Sequence, residues 1–389
     1  MKPSSTSSSD RREPAAPKPL RSRAATTAIA VVAVLAGIEG ALRIPAVERA
    51  LPIRTHLHEP GVVVRLQALD RVLQRYGRID VLFVGSSVVR CNINPLVFDA
   101  VIKRDRLPPI VSFNVGMSGL WPAAVRLYLE NLWLPRARPR VVVQGIRYGE
   151  LFPSTRARSY ADISNGALES SWERGGIAGR LRGAAFEHLR ILQYRGALPS
   201  WLIRYRTGRP GPIEEDELRV YTDPRGWTPR TPTLDVVLAR NLLSGEKPNP
   251  ALVDRLPCKE ALEAIRRSFR ATRRAGAQYL LVNVPEHAYR WSGPDGRERY
   301  ASYLRAMQDL ADDEGFTFID VSDGNPSQFA SVSDYSDYHH MSPTGALRFT
   351  KMLADRIAGD VGKAIEHRPA VASLLNHRDR QLSASAEGY

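Results

Sequence analysis

Cysteine is nearly missing from this chain: Cys91 and Cys258 are the only two in 389 residues. Two thiols without the spacing of a metal knuckle exclude a structural zinc site and a disulfide-stapled scaffold. The sequence leaves open whether they meet. Lysine is scarce as well. Seven lysines stand against 48 arginines, so the net charge of +14 is an arginine bias spread from end to end. No long basic block occurs, and no zinc-finger, RRM or KH pattern, so no nucleic-acid partner is expected. An anionic membrane surface nearby would suit that charge. The 43% apolar and 25% charged residues are those of a globular protein with a sizeable core.

Long apolar runs are missing too, with one exception. Residues 1–23 are polar and Ser/Pro-rich, with Arg11, Arg12, Lys18, Arg21 and Arg23 as a basic flank. An uncharged run, Ala24–Ile38, follows, and through Leu42 the stretch approaches the ~20 residues that span a bilayer. Positive charge ahead of it predicts a cytoplasmic tail and an exported remainder. Residues 24–42 are therefore expected to be one transmembrane signal-anchor, with 43–60 as connector. A cleaved signal peptide, with a site after Ala36, and a buried helix are the alternatives.

Beyond the connector the pattern alternates. Val62–Tyr76 has helical spacing, with Gly77 at the C-terminal cap position. Strands are expected at Val81–Val84, Ile110–Asn114, Val141–Gln144, Tyr279–Val284 and Phe316–Val321. Helices are expected at Ala123–Leu132, Lys259–Arg274, Glu298–Asp312 and Thr344–Ile357. The strands are almost unbroken in Val, Ile, Leu and Phe, as parallel strands covered on both faces are. One α/β domain over 61–367 results, with a parallel sheet between helices. Residues 151–257, bearing Trp172, Trp201, Trp227 and repeated Arg, break the rhythm and read as an insertion, partly helical around Ile177–Tyr194. Such an insertion either shapes the cleft or is decorative. Residues 368–389 form a polar tail.

Two stretches carry chemistry. Asp337-Tyr338-His339-His340-Met341-Ser342-Pro343-Thr344-Gly345 sets an acid three residues before an imidazole, within reach on one tight loop. A carboxylate on one ring nitrogen fixes the tautomer and leaves the other nitrogen as a base. Far upstream, Val81–Val84 runs into Gly85-Ser86-Ser87, where a hydroxyl at a strand end would be activated by such a base. Ser87 is the nucleophile candidate, with Ser86 the fallback one position away. His339 competes with His340, which has the better spacing from Asp337. Asp334, Asp337, His339 and His340 also offer metal ligands, yet no second cluster stands elsewhere, so neither a metal nor a cofactor is expected. His287 follows the fourth strand and is a candidate for lining the cleft.

Gly85-Ser86-Ser87 together with Asp337-x-x-His340 resembles the first and last signature blocks of the SGNH (GDSL-like) hydrolase superfamily, with Ser86 where the family has Asp. Asn114-Val115-Gly116-Met117-Ser118-Gly119 resembles the second block. There the family's Gly offers an amide to the oxyanion, which implies Gly119, with Gly116 as the alternative. The family's third block reads Gly-x-Asn-Asp. Here Gly145-Ile146-Arg147-Tyr148 puts Arg147 in the place of Asn, open to oxyanion donation, to binding an anionic group, or to pairing with Glu150. The altered third block is similar to membrane-anchored branches that look like polysaccharide O-acetylation and D-alanyl transfer proteins. The resemblance implies a three-layer α/β/α, flavodoxin-like fold with a five-stranded parallel sheet. It also implies ester hydrolysis or acyl transfer by Ser87, His340 and Asp337, on an acylated cell-surface glycan or related ester outside the cytoplasm. A multi-pass membrane acyltransferase is the partner it suggests. A non-catalytic glycan-binding accessory protein is the competing reading.

Overall fold

Five apolar runs become five strands: β1 (Val81–Val84), β2 (Ser112–Asn114), β3 (Val141–Ile146), β4 (Gln278–Asn283) and β5 (Thr317–Asp320). All pairings are parallel, in the order β2-β1-β3-β4-β5. The computed structural model describes residues 20–44, 60–104, 109–151, 189–194, 225–231, 234–235, 258–291 and 295–366, with single positions at 47, 185 and 206. Among these, the helices in chain order are α1 (Leu20–Ala41), α2 (Pro60–Tyr76), α3 (Ser87–Asn92), α4 (Pro95–Arg104), α5 (Pro122–Tyr128) and α6 (Leu134–Ala137). They continue as α7 (Arg190–Tyr194), α8 (Lys259–Arg274), α9 (Gly296–Glu314) and α10 (Pro343–Glu366).

Alternate strand residues face opposite sides. Leu82, Val84, Phe113, Val142, Tyr279 and Leu281 join one apolar cluster with Leu69 of α2, Leu127 of α5, Ile265 of α8 and Met307 of α9. Val81, Phe83, Val141, Val143, Leu280 and Val282 join the other, with Val88 of α3, Phe98 of α4 and Phe349, Leu353 and Ile357 of α10. Helices thus cover both faces. Each such buried Leu, Ile or Phe stabilises the fold by about 1.5–3 kcal/mol. Burial along α10 recurs at Ala346, Phe349, Thr350, Leu353, Ala354, Ile357 and Val361. That stripe carries the helix past the expected end at Ile357. The helix expected over Ala123–Leu132 instead passes into a π turn at Leu129–Trp133 that buries Leu129 and Trp133. Gly77, with φ of 70°, ends α2 where expected.

The strand order positions the site. From β1 the chain steps outward to β2, then crosses back over β1 to β3. Where the winding reverses, the carboxyl ends of two neighbouring strands leave a crevice between their outgoing loops. Gly85-Ser86-Ser87 leaves β1 there, and Arg147 leaves β3 beside it.

The expected span at 24–42 needs correction. The segment is helical in α1, but among the described residues no helix is long and apolar enough to cross a membrane. Arg21 and Arg23 lie inside the helix, so its uncharged run is only Ala24–Ile38. Glu39, beyond it, accepts from Arg43 and from the backbone N–H groups of Arg190 and Ile191 at 2.9 and 3.0 Å, which ties α1 to α7. Cys91 and Cys258 are both free thiols. The tails at 1–19 and 367–389, most of the connector, and Trp172 and Trp201 of the insertion lie outside the described residues.

Candidate active site

Ser86 and Ser87 are adjacent and do different work. Ser86 is buried and caps α3, its Oγ accepting from the Val88 N–H at 3.2 Å and donating to Glu150 Oε1 in a short hydrogen bond. Capping fixes the first turn, and Ser87 opens the helix as the half-exposed residue in an otherwise buried run. A backbone N–H in the first turn has no partner within its helix.

The partner of Ser87 comes from the other end of the chain. His340 Nε2 lies 2.7 Å from Ser87 Oγ, and His340 Nδ1 lies 2.7 Å from Asp337 Oδ2. The loop is closed on itself: Ser336 and Asp337 both donate their N–H to the His340 carbonyl. Asp337 Oδ1 accepts from the His339 and His340 amides at 3.0 and 2.8 Å. Burial opposes the Asp337 charge, but His340, His339 and Arg230 outweigh it and hold the carboxyl well below the usual carboxylate range. Burial pushes the His340 pKa down against the pull of Asp337, and Arg230 and Arg147 push the same way. The ring is therefore a neutral base at neutral pH. His339 stays outside the relay, its Nδ1 3.5 Å from Asp337 Oδ1.

Asn92, at the end of α3, joins the two ends of the chain and was not singled out from sequence. Its Oδ1 accepts from the Met341 N–H at 2.9 Å and its Nδ2 donates to the His339 carbonyl at 3.3 Å. One helix thus carries Ser87 at its start and grips the histidine loop at its end. Nothing in the sequence marks this Asn. His287 does not line the cleft as a free base: it is buried, bonded through Nε2 to the Ala330 carbonyl at 2.9 Å and packed edge-on against Tyr335.

The second block splits its two glycines. Asn114 Oδ1 accepts the Gly116 N–H at 2.9 Å while its Nδ2 donates to the Val89 and Ile93 carbonyls, both at 2.8 Å. The Gly116 amide is therefore engaged, which removes it as the alternative oxyanion donor. Its lack of a side chain serves packing: a Cβ there would stand 2.6 Å from the Arg90 nitrogen and 3.0 Å from the Ser86 carbonyl. Gly119 is exposed, with φ of 72°, a backbone angle that glycine adopts without strain.

Arg147 takes one of the three roles left open for it. Its guanidinium lies between Glu286, at 2.8 Å, and Glu150, at 3.3 Å, with 17% of the side chain exposed. Burial opposes its charge, but Glu286 and Glu150 more than compensate and hold the pKa above its ordinary value. Of the three possibilities left open, the structure has the pairing with Glu150, joined by Glu286. Burial pushes the Glu150 carboxyl up to about 7 against the pull of Arg147 and Ser86.

A different arginine reaches the triad. Residues 225–231 of the insertion run beside β2 and α3. The Asn114 N–H donates to the Arg225 carbonyl at 2.9 Å, the Thr228 N–H to the Arg90 carbonyl at 3.1 Å, and Trp227 Nε1 to the Cys91 carbonyl at 2.7 Å. Ser336 Oγ donates to the Arg230 carbonyl at 2.5 Å. Arg230 Nη1 then stands 2.7 Å from His340 Nδ1 and 3.3 Å from Asp337 Oδ2. This stretch of the insertion is built into the site and is not decorative. Asp337, His339 and His340 present ligand atoms within 4.8 Å of one another. With Ser87 on His340 and Arg230 on both Asp337 and His340, the set suits proton transfer better than a cation. Asp334, the fourth residue of that weighing, is paired with Arg348 at 2.6 Å.

No protein-family profile matches the chain, and no curated protein matches it. Solved structures do. A lipase/acylhydrolase from Enterococcus faecalis is 13% identical, covers 72% of this chain and 96% of its own, with a TM-score of 0.33. A GDSL-like lipase from Bacteroides thetaiotaomicron is 10% identical, covering 79% and 100%, with a TM-score of 0.36. A catalytic mutant of an acetylxylan esterase from Geobacillus stearothermophilus is 13% identical, covering 73% and 94%, with a TM-score of 0.35. Scores and identities this low fix no activity for the chain, which has to be read from its own geometry.

Proposed function

We propose that this protein is an SGNH-type serine enzyme that cleaves or transfers acyl groups held in ester linkage. Ser87 Oγ attacks the acyl carbonyl while His340 Nε2 takes its proton; His340 then returns that proton to the departing alcohol. Asp337 steadies the imidazolium. The first-turn amide of Ser87 and the amide of Gly119 are the donors offered to the oxyanion, each worth about 3–4 kcal/mol when aligned. Arg147 is left out of this set because its charge is taken by Glu150 and Glu286. Water as acceptor resolves the acyl-enzyme by hydrolysis, and a glycan hydroxyl resolves it by transfer.

The observation that carries the reading is the Ser87–His340–Asp337 relay, with 2.7 Å at each step. Serine-reactive fluorophosphonate tests it. Label should attach to the wild type and be lost in Ser87→Ala. A wild type that takes no label and hydrolyses no para-nitrophenyl ester would leave the accessory-protein reading in its place.

The same proposal sets the enzyme at the outer side of a membrane, acting on acylated envelope glycan beside a membrane acyltransferase. Its support is α1, where Ile29, Val31, Val32, Val34 and Leu35 are all exposed although apolar. A helix with so many exposed apolar side chains, following a basic segment, suits a bilayer surface. A reporter fused after residue 60 should be active outside the cytoplasm; activity confined to the cytoplasm overturns this placement.

A further inference from the structure

The Nδ1 atom of His340 has two suitors and one bond to give. Asp337 Oδ2 and Arg230 Nη1 both stand 2.7 Å from it. An imidazole nitrogen in the ring plane either carries a proton and donates, or lacks one and accepts. If Nδ1–H donates to Asp337, Nε2 is bare and takes the proton of Ser87. If Nδ1 accepts from Arg230, the ring proton sits on Nε2 and points at Ser87 Oγ. The hydroxyl then faces a donor and has no base. A guanidinium only donates and the ionised Asp337 carboxylate only accepts, so the two pull Nδ1 toward opposite tautomers, and while Arg230 stands at this distance the second arrangement competes with the first. The first needs the guanidinium to withdraw.

Arg230 is built to withdraw. Its backbone is fixed by the Ser336 hydroxyl and by the neighbouring Thr228 and Trp227 bonds to α3. Its side chain, in contrast, is 46% exposed. Arg147, the other guanidinium by the triad, is enclosed by two carboxylates and has no such freedom. An anionic group arriving at the mouth of the cleft would offer Arg230 a charge-assisted, two-pronged partner outside the relay. Asp337 would then be left to His340 alone.

We propose that Arg230 is a latch on the triad which a negatively charged group on the substrate releases, so that the enzyme favours esters bearing an anion near the scissile bond. The inference rests on the serine-enzyme reading and names the substrate class it serves. Arg230 acts through His340 and is a positioning residue. Ligand binding is coupled to the active tautomer, and couplings of this kind change affinity or rate by about 5- to 150-fold.

Two measurements decide it. Nitrogen NMR of the imidazoles, assigned with His340→Gln, reads which ring nitrogen is protonated. The wild type should carry the proton on Nε2 and move it to Nδ1 when sodium succinate is added. Arg230→Gln should carry it on Nδ1 throughout. A wild-type ring already protonated on Nδ1, or one that ignores both succinate and the substitution, overturns the latch, with or without turnover. Kinetics supply the second arm, with para-nitrophenyl acetate as neutral ester, para-nitrophenyl hemisuccinate with the charge on the acyl side, and para-acetoxybenzoate with it on the leaving side. Wild-type kcat/KM should favour one of the charged esters by roughly tenfold over the neutral one, and Arg230→Gln should erase that preference while raising the rate on the acetate. Preference unchanged in Arg230→Gln overturns the proposal. Absence of fluorophosphonate labelling both in the wild type with succinate present and in Arg230→Gln would instead strike the serine-enzyme reading, and the tautomer measurement keeps the two failures apart.

Discussion

Two arginines flank the loop that bears His340, and they differ in how many carboxylates each commands. Arg147 sits between Glu150 and Glu286 with 17% of its side chain exposed. Arg230, at 46%, shares Asp337 with a histidine. The buried group is an ion-pair network, extended by the Ser86–Glu150 hydrogen bond into the turn that carries Ser87. The outer group is open, because its one carboxylate must serve both a cation and a base. Charges in the first case hold a shape; in the second they compete over a proton. A cation with two carboxylates to itself holds one arrangement, while a carboxylate shared between a cation and an imidazole has two states to choose between.

The largest effects should follow from breaking the outer group. Ser87→Ala or His340→Ala should lower kcat on para-nitrophenyl acetate by about 10⁴–10⁶-fold, and Asp337→Asn by about 10⁴-fold. Melting temperatures close to wild type would show that the loss is chemical. If Asp337→Asn keeps most of its activity, the carboxylate is not orienting His340.

Breaking the inner group should cost stability first. Arg147→Met leaves two buried carboxylates without their cation, and removal of one partner of a buried pair destabilises by about 3–5 kcal/mol. Urea unfolding measures it. A kcat loss of about 10²–10³-fold with unchanged stability would instead mark Arg147 as an oxyanion donor and erase the contrast between the two arginines.

A smaller loss is expected where the two ends of the chain are clamped. Asn92→Ala should destabilise by about 1–3 kcal/mol by stranding the Met341 N–H, and it should loosen His340 against Ser87 enough to lower kcat as well. Full activity at lowered stability would mean that the loop holds its register without the clamp.

The subtlest effect separates the groups by pH. Because the His340 pKa lies below 6.5, the acid limb of kcat/KM should have its midpoint below that value. Glu150 behaves oppositely: its folded pKa of about 7 exceeds the ordinary 4.5. Between those values the folded state binds more protons than the unfolded one, so its contribution is present at low pH and lost as pH rises through about 7. Glu150→Gln should flatten the fall in melting temperature over that window and leave the acid limb of kcat/KM in place. An acid limb that moves with Glu150→Gln would mean the two groups titrate as one.

The helix at 259–274 and the strand at 81–84 have the bounds their apolar patterns predict, because burial on one face or two is written into local periodicity. The pairing of Asp337 with His340 was equally legible, since three residues on one turn fix the distance. Ser87 was readable as a partner through the strand before it and the resemblance of its turn. The sequence by itself thus determined the parallel sheet, most of the helices around it and the candidate triad of Ser87, His340 and Asp337, but not the helix at Pro95–Arg104 that covers one face. Only the tertiary structure decided which arginine touches that triad. Arg147 meets a carboxylate 139 residues away and Arg230 an imidazole 110 residues away. Glu286 and Asn92 were hidden for the same reason. Apolar periodicity is a property of neighbouring residues, whereas the partner a buried charge finds depends on which loops the sheet brings to one edge.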